Sequence, residues 1–174
     1  DDYAKVTKQN TRGVSSRVRF LLGLVIAGLA AYAAARFHPV ELTNQLAFPV
    51  FKDALLNLGW FFVPFGMVVI VGAANAVNLT DGLDGLAIMP VMIAAATLGI
   101  ISYVVGHANF ADYLGVHLVP GTGELLIFTA ALFGGGPGFL WYNAPPAAGF
   151  LGGTGSLALG RALGAIAVRI QPGI

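Results

Sequence analysis

Two carboxylates and two amides lie together in one short polar segment of an otherwise apolar chain. Asp81 and Asp84 are three positions apart, and Asn78 and Asn75 precede them at the same spacing. At this spacing, side chains share one face of a helix or helix end. Their oxygens suit Mg²⁺, or a ribose and base. The alternative is a pair of acidic helix caps. However, the apolar stretches on either side are predicted below to span a membrane, and carboxylates beside a membrane span are usually functional.

An adjacent acidic pair, Asp1 and Asp2, precedes a basic stretch that runs from Lys5 to Arg19. Taken alone, such a pair is more often a solvated terminus than a catalytic dyad. The basic stretch after it can hold an anionic substrate or lipid headgroups. The simpler interpretation of that stretch is an anchor at the cytoplasmic membrane surface. The pair is therefore a second candidate site with both interpretations open.

The third candidate is segment 143–156, which is rich in Gly and Pro and is bounded by Asn143 and Ser156. A glycine-rich loop that opens a helix can offer backbone N–H groups to a phosphate. The segment is not a P-loop, because no Gly-Lys-Ser/Thr follows it. Gly and Pro also mark ordinary turns, so this signal is weak when taken alone.

The composition indicates an integral membrane protein. Of the 174 residues, 57% are hydrophobic and 10% are charged, whereas soluble domains carry about a quarter charged residues. Five of the nine basic residues lie in the first nineteen positions, so the sustained basic face that nucleic-acid binding needs is missing. The absence of cysteine excludes disulfides, thiolate zinc sites and a cysteine nucleophile.

Five apolar stretches predict an all-α, polytopic membrane protein with about five transmembrane helices, a fragment of a larger bundle. The predicted spans are 20–35, 58–77, 85–105, 125–142 and 156–168, within a single partial membrane domain, 1–174. The cluster Gly134–Gly138, with Pro137 inside it, predicts a kink or break in the fourth helix. Segment 36–57 fits either a short hairpin or an interfacial helix.

The positive-inside rule places residues 1–19 in the cytoplasm, because most of the Lys and Arg lie there. Counting spans then places 78–84 and 143–155 on the same side. Arg169 falls on the outer side, which conflicts mildly with the rule. The three candidate segments are thus predicted to share one cytoplasmic face.

In order along the chain, three stretches resemble the phospho-N-acetylmuramoyl-pentapeptide transferases, a branch of the polyprenyl-phosphate sugar-1-phosphate transferases. The stretches are Asp1–Gly13, Asn75–Ala87 and Asn143–Gly160. The resemblance implies transfer of phospho-N-acetylmuramoyl-pentapeptide from UDP to undecaprenyl phosphate, giving lipid I and UMP for peptidoglycan synthesis. It implies a multi-pass protein of the bacterial inner membrane, active on the cytoplasmic face, and Mg²⁺ to offset the diphosphate charge.

The resemblance also assigns roles by position. It makes Asp1, Asp2 and Asp84 catalytic, and it makes Asp81 and Asp84 metal ligands. The substrate-binding positions are Asn75, Asn78, Asp81, Asn143, Phe150, Gly152 and Ser156.

The chain departs from the family pattern between residues 149 and 161. The family's further metal-binding aspartate is Gly153 here, and neighbouring backbone groups cannot fully replace that carboxylate. Arg161 stands where the family is small and apolar, and an arginine at membrane depth is costly. The likeness also covers only about half of such an enzyme. A site built from several spans needs all of them, so we expect this chain to be inactive alone.

Two other functions stay open at this point. A related transferase of N-acetylglucosamine-1-phosphate shares the two aspartate motifs, although Lys-Val-Thr-Lys-Gln at 5–9 favours the muramoyl branch. A non-catalytic membrane protein or transporter fragment would explain an interrupted fourth helix, but a transporter's carboxylates are expected at the midplane. The oligomeric state is open, with a homodimer as one option.

Overall fold

The computed structural model describes residues 15–48, 51–82, 85–144 and 151–173. Within these ranges the chain forms six α-helices, one two-stranded hairpin and three short 3-10 turns. The helices are α1 (Ser16–Phe37), α2 (Phe62–Thr80), α3 (Ile88–Gly106), α4 (Ala108–Leu114), α5 (Leu125–Asn143) and α6 (Gly152–Ile170). The strands are β1 (Gln45–Phe48) and β2 (Phe51–Asn57), and the 3-10 turns are Val40–Leu42, Gly59–Phe61 and Gln171–Gly173.

Four of the described helices, α1, α2, α3 and α5, are long and apolar enough to cross a membrane. Their apolar segments have 19 to 22 residues, which at about 1.5 Å per residue spans a hydrocarbon core of about 30 Å. Large apolar side chains on them point outward, among them Leu29, Val68, Ile93 and Ile127. The predicted fold class is confirmed: the protein is a helical, multi-pass membrane protein.

Helix α6 is also 19 residues long, but it lies outside the set of four apolar helices found in the described ranges. It carries Arg161 and Arg169 and packs against α1, α2 and α3. Its surroundings are therefore mostly protein, which lowers the cost of carrying charge. The transmembrane span proposed for 156–168 stays a prediction.

Two glycines on one face of α6 allow a very close approach to α2. A Cβ atom at Gly160 would lie 2.5 Å from the Ala74 Cα atom, and one at Gly164 would lie 2.8 Å from the Ile70 Cα atom. Gly160 and Gly164 form a Gly-xxx-Gly pair, the spacing by which membrane helices bring their backbones together. This contact fixes the depth of α6 against α2, and with it the relative position of the candidate segments.

The fourth apolar stretch forms one helix, so of the predicted kink or break, the break does not occur and the kink stays a prediction. Helix α5 runs continuously from Leu125 to Asn143 with Pro137 inside it. Proline removes one helical hydrogen bond, but lipid offers the backbone no alternative partner, so the remaining bonds are kept. Gly136 packs closely against the Met92 side chain of α3, which supports the helix next to the proline.

Segment 36–57, which the sequence left open, contains the β1–β2 hairpin rather than an interfacial helix. The hairpin lies at the same end of the bundle as the C-terminus of α6, where Gln171 Nε2 donates to the Ala47 carbonyl at 3.0 Å. Arg169 Nη2 donates nearby to the carbonyls of Phe37 (3.1 Å) and Pro120 (3.3 Å). Arg169, whose predicted outer position conflicts with the positive-inside rule, is therefore hydrogen-bonded to carbonyl groups at this end of the bundle.

Candidate functional site

The second and third candidate segments meet where α2 ends and α6 begins. The Ser156 hydroxyl is fully buried and lies 3.0 Å from Asn78 Oδ1 and 2.9 Å from the Gly152 carbonyl. Its single proton is shared between these two acceptors. Asn78 and Ser156 are 78 positions apart in the sequence, so this contact confirms that the two segments meet, and the cytoplasmic side assigned to them stays a prediction.

Asp81 lies in the turn after α2, against the first residue of α6. The backbone N–H of Gly152 donates to its carboxylate, and Gly152 has a φ of 66°, which favours glycine there. Burial raises the pKa of the Asp81 carboxyl above its ordinary value, and the Gly152 bond acts in the opposite direction. The carboxylate thus lies at the positive end of the α6 dipole.

The other two predicted amides bond within their own helices. Asn75 Nδ2 donates to the Val71 carbonyl at 2.8 Å, and Asn143 Nδ2 donates to the Phe139 carbonyl at 2.9 Å. Asn143 is the last residue of α5 and lies against the turn at Gly85. A Cβ atom added at Gly85 would lie 2.9 Å from the Asn143 carbonyl oxygen. Asn143 therefore supports that turn, whereas Asn75 faces a cavity described next.

A cavity of about 320 Å³ lies between α1, α2 and α6 at this end of the bundle. Its lining combines four polar side chains with apolar ones: Arg19, Asn75, Asn78, Arg161, Phe20, Gly23, Val71, Ala74 and Leu157. The sequence leaves Arg19 in a stretch that is either a membrane anchor or an anion-binding segment, and it marks Arg161 as a costly departure. Neither interpretation predicts that both arginines line one cavity. The available signal was the position of Arg161, a single charge in a long uncharged region.

The remaining predicted site residues, Asp1, Asp2, Asp84 and Phe150, lie outside the described residues. Gly153, where the resemblance implies a lost aspartate, is described. A Cβ atom there would lie 3.7 Å from Asn78 Oδ1 and 3.9 Å from Arg19 Nη1. The position therefore belongs to the same site and has room for a side chain.

The described residues include one carboxylate of the kind that a magnesium site would need. Mg²⁺ in proteins is usually held by one or two carboxylates together with substrate phosphates, and Asp81 provides one carboxylate at the meeting point of α2 and α6. Within the described ranges, there is no group of three or more acidic, histidine or cysteine side chains that could hold a metal ion. The donor set fits a metal shared with a substrate phosphate rather than one held by protein alone.

We expect Ser156→Ala to destabilise the protein by about 0.5 to 1.5 kcal/mol, because it removes the hydroxyl that donates to the half-buried Asn78 side chain. Thermal unfolding in detergent measures this effect. Thr97→Ala is the matched control, since Thr97 is exposed and its hydroxyl donates only to the Ile93 carbonyl of its own helix. Equal losses in the two variants would mean that the Ser156–Asn78 contact adds nothing beyond a local helix bond.

Comparisons with known proteins identify the family of this chain. Residues 1–171 match the family described as Glycosyl transferase family 4. Three proteins named phospho-N-acetylmuramoyl-pentapeptide-transferase are similar over 168 residues, or 97% of this chain: those of Ruegeria sp. strain TM1040 (76% identical), Ruegeria pomeroyi (72%) and Dinoroseobacter shibae (67%). The chain spans about half the length of these relatives, 46% to 47%.

Proposed function

This chain is a member of glycosyl transferase family 4, and we propose that it carries part of the active site of a phospho-N-acetylmuramoyl-pentapeptide transferase. The proposed reaction moves phospho-N-acetylmuramoyl-pentapeptide from UDP to undecaprenyl phosphate, giving lipid I and UMP. The reaction would take place at the cytoplasmic face of a bacterial inner membrane. The excess of basic residues at 1–19 supports this orientation.

The bond between Ser156 and Asn78 is the observation that carries this proposal. It joins the amide and carboxylate segment to the glycine-rich segment, the two stretches that resemble the nucleotide and diphosphate regions of these transferases. The names of relatives up to 76% identical support the same assignment. A transporter is less well supported, because α5 is unbroken and Asp81 lies in a turn at the end of α2.

In the proposed mechanism, this chain's residues bind and orient the diphosphate of the nucleotide sugar. Since Asn78 Oδ1 accepts the Ser156 hydroxyl, its Nδ2 group supplies donors for a substrate oxygen. The backbone N–H groups that follow Gly152 in the first turn of α6 add donors and the positive end of a helix dipole. Asp81 and Asp84 would hold Mg²⁺, which offsets diphosphate charge during attack by the lipid phosphate on the sugar-linked phosphorus.

A chimera tests the proposal, since this chain matches only part of its relatives. The matched 168 residues replace the corresponding segment of the Ruegeria sp. protein, and lipid I is measured by mass spectrometry in detergent. We expect product from UDP-N-acetylmuramoyl-pentapeptide and none from UDP-N-acetylglucosamine. The same assay is run on a chimera with Gly153→Asp, which restores the aspartate that the resemblance implies. If the unchanged chimera turns over slowly, this variant still reveals which UDP-sugar is preferred.

The isolated chain is the second arm of this experiment. We expect it to form no lipid I, because only about half of the relatives' length is present. Product from the isolated chain would overturn the proposed inactivity. A preference of the chimera for UDP-N-acetylglucosamine would favour the related transferase instead.

A further inference from the structure

We propose that a second cavity, at the end of the bundle opposite the candidate site, binds the primary ammonium group of a zwitterionic phospholipid. The cavity has a volume of about 340 Å³ and lies between the end of α3 and the start of α5. Helix α3 begins at Ile88, just after the turn at Gly85, and its length places the cavity about 27 Å from that turn. The inference goes beyond the proposed function, because the cavity is remote from the residues proposed to bind the diphosphate.

The charge of this second cavity favours a cation. Glu124 lines it together with Tyr103 and His107, and the described part of its lining contains neither lysine nor arginine. Glu124 stands at the N-cap position of α5 but makes no side-chain capping bond, so its carboxylate is not used to cap the helix. An ammonium group donates short, charge-assisted hydrogen bonds to a carboxylate. Their attraction is stronger at a membrane interface than in bulk water, because the surroundings are less polar.

One wall of the second cavity is aromatic. Tyr103 and His107 are four positions apart at the end of α3, and their ring centroids lie 5.7 Å from each other. The Phe110 ring packs against both, at 5.8 Å from Tyr103 and 5.0 Å from His107. Aromatic rings attract a cation through their faces. A primary ammonium group can use this wall and also donate N–H bonds to Glu124, whereas a quaternary ammonium group has no N–H to donate.

Buried hydrogen bonds hold the two sides of this cavity together. The fully buried Thr122 hydroxyl lies 3.1 Å from the Ser102 carbonyl oxygen of α3 and 2.8 Å from the Val119 carbonyl oxygen. The Val119 N–H group donates to the Val105 carbonyl of α3 at 2.8 Å. The segment before α5 is therefore fixed to the end of α3. A site held in place in this way loses less conformational entropy when a ligand binds.

The surroundings of the second cavity indicate that the ammonium group belongs to a lipid. Ile127, one turn into α5, lines the cavity and is largely exposed. Phe110 and Tyr113 of the neighbouring α4 are exposed as well. Exposed aromatic side chains at the ends of membrane helices lie at the level of the lipid headgroups. A headgroup bound beside Glu124 would leave its acyl chains along the apolar surface at Ile127, which favours a phospholipid over a free amine.

Native mass spectrometry of the full chain in dodecyl maltoside, titrated with phosphatidylethanolamine, tests the proposal. We expect Glu124→Gln, which keeps the size but removes the charge, to weaken binding about 10- to 100-fold. Gly123→Leu should weaken it comparably by filling the cavity, since Gly123 lines it and an added Cβ atom meets nothing within 4 Å among the described residues. The matched control is Asp112→Asn, at an exposed carboxylate of α4 outside the lining. It should leave binding within about twofold.

Three further ligands identify what the second cavity recognises. Phosphatidylcholine with the same acyl chains should bind at least about tenfold more weakly, because it has no N–H donor for the carboxylate. Phosphatidylglycerol, which has no cation, and free ethanolamine, which has no acyl chains, should each lose at least about as much. Equal binding of phosphatidylglycerol, or equal losses in Glu124→Gln and Asp112→Asn, would overturn the proposal. Equally tight phosphatidylcholine would overturn the primary ammonium group, and equally tight ethanolamine would overturn the phospholipid.

Folding and the transferase function are kept separate from this test. Thermal unfolding of each variant shows whether it folds, and Glu124→Asp, which keeps the charge on a shorter side chain, should bind better than Glu124→Gln. If both variants fold and bind equally weakly, the charge of Glu124 does not act on the ligand, and the proposal is wrong. The assay contains no UDP-sugar, so its failure leaves the proposed transferase function untouched, and the reverse also holds.

Discussion

Replacing Gly160 by alanine is expected to destabilise the protein by about 1 to 3 kcal/mol, although alanine is the better helix former. The added methyl group would lie 2.5 Å from the Ala74 Cα atom and 2.6 Å from the Ala73 carbonyl oxygen. Both are backbone atoms of α2, which cannot rotate away as a side chain can. The helices must therefore separate, and thermal unfolding in detergent measures the loss.

Gly135→Ala is the matched control for this prediction. Gly135 also lies within a helix, α5, but an added Cβ atom there has nothing within 4 Å among the described residues. Only helix propensity changes at this position. We therefore expect the free energy of unfolding to stay the same or to rise by up to about 1 kcal/mol. Equal effects of the two substitutions would contradict the close α2–α6 contact.

The same substitution should disturb the candidate site, because Ser156 lies one turn before Gly160 on α6. The chain has no cysteine, so cysteines introduced at 78 and 156 can be joined selectively by a short thiol cross-linker. We expect Gly160→Ala to slow this cross-linking and Gly135→Ala to leave it unchanged. Unchanged cross-linking in both would show that the site does not depend on the glycine contact.

Gly153→Asp is expected to raise lipid I formation by the chimera with the Ruegeria sp. protein at least about tenfold. The resemblance places a metal-binding aspartate at this position. The site accepts a side chain, since an added Cβ atom would make only ordinary contacts with Asn78 and Arg19. The Arg19 guanidinium would also favour the ionised form of the new carboxyl. A magnesium titration of the rate should reach its midpoint at a lower concentration than with Gly153.

Gly153→Asn separates the charge from the size of the new side chain. Asparagine occupies nearly the same volume as aspartate but supplies no negative charge to a metal. We expect it to leave the magnesium midpoint close to that of the unchanged chimera. If Asn and Asp raise the rate equally, the lost carboxylate is not what limits this site.

The sequence by itself determined the fold class and the position of the candidate segments along the chain. Low charge and long apolar stretches predict membrane helices, and α1, α2, α3 and α5 confirm this. Asn78, Asp81 and Ser156 were assigned to one face from charge asymmetry and span counting, and the Ser156–Asn78 bond confirms that the two segments meet. These properties depend on local composition and spacing, which a single chain reveals.

Tertiary structure decided which helix faces meet. Helices such as α3 and α5 are apolar on all sides, and lipid is as apolar as a neighbouring helix, so hydrophobicity does not mark the packed face. The sequence predicts a kink or break at Gly134–Gly138, and packing and the lack of other backbone partners keep α5 as one helix without a break. It also gave Arg19 and Arg161 unrelated roles, although they line one cavity. Their meeting depends on the depth at which α6 packs against α2, which close backbone contacts at Gly160 and Gly164 set.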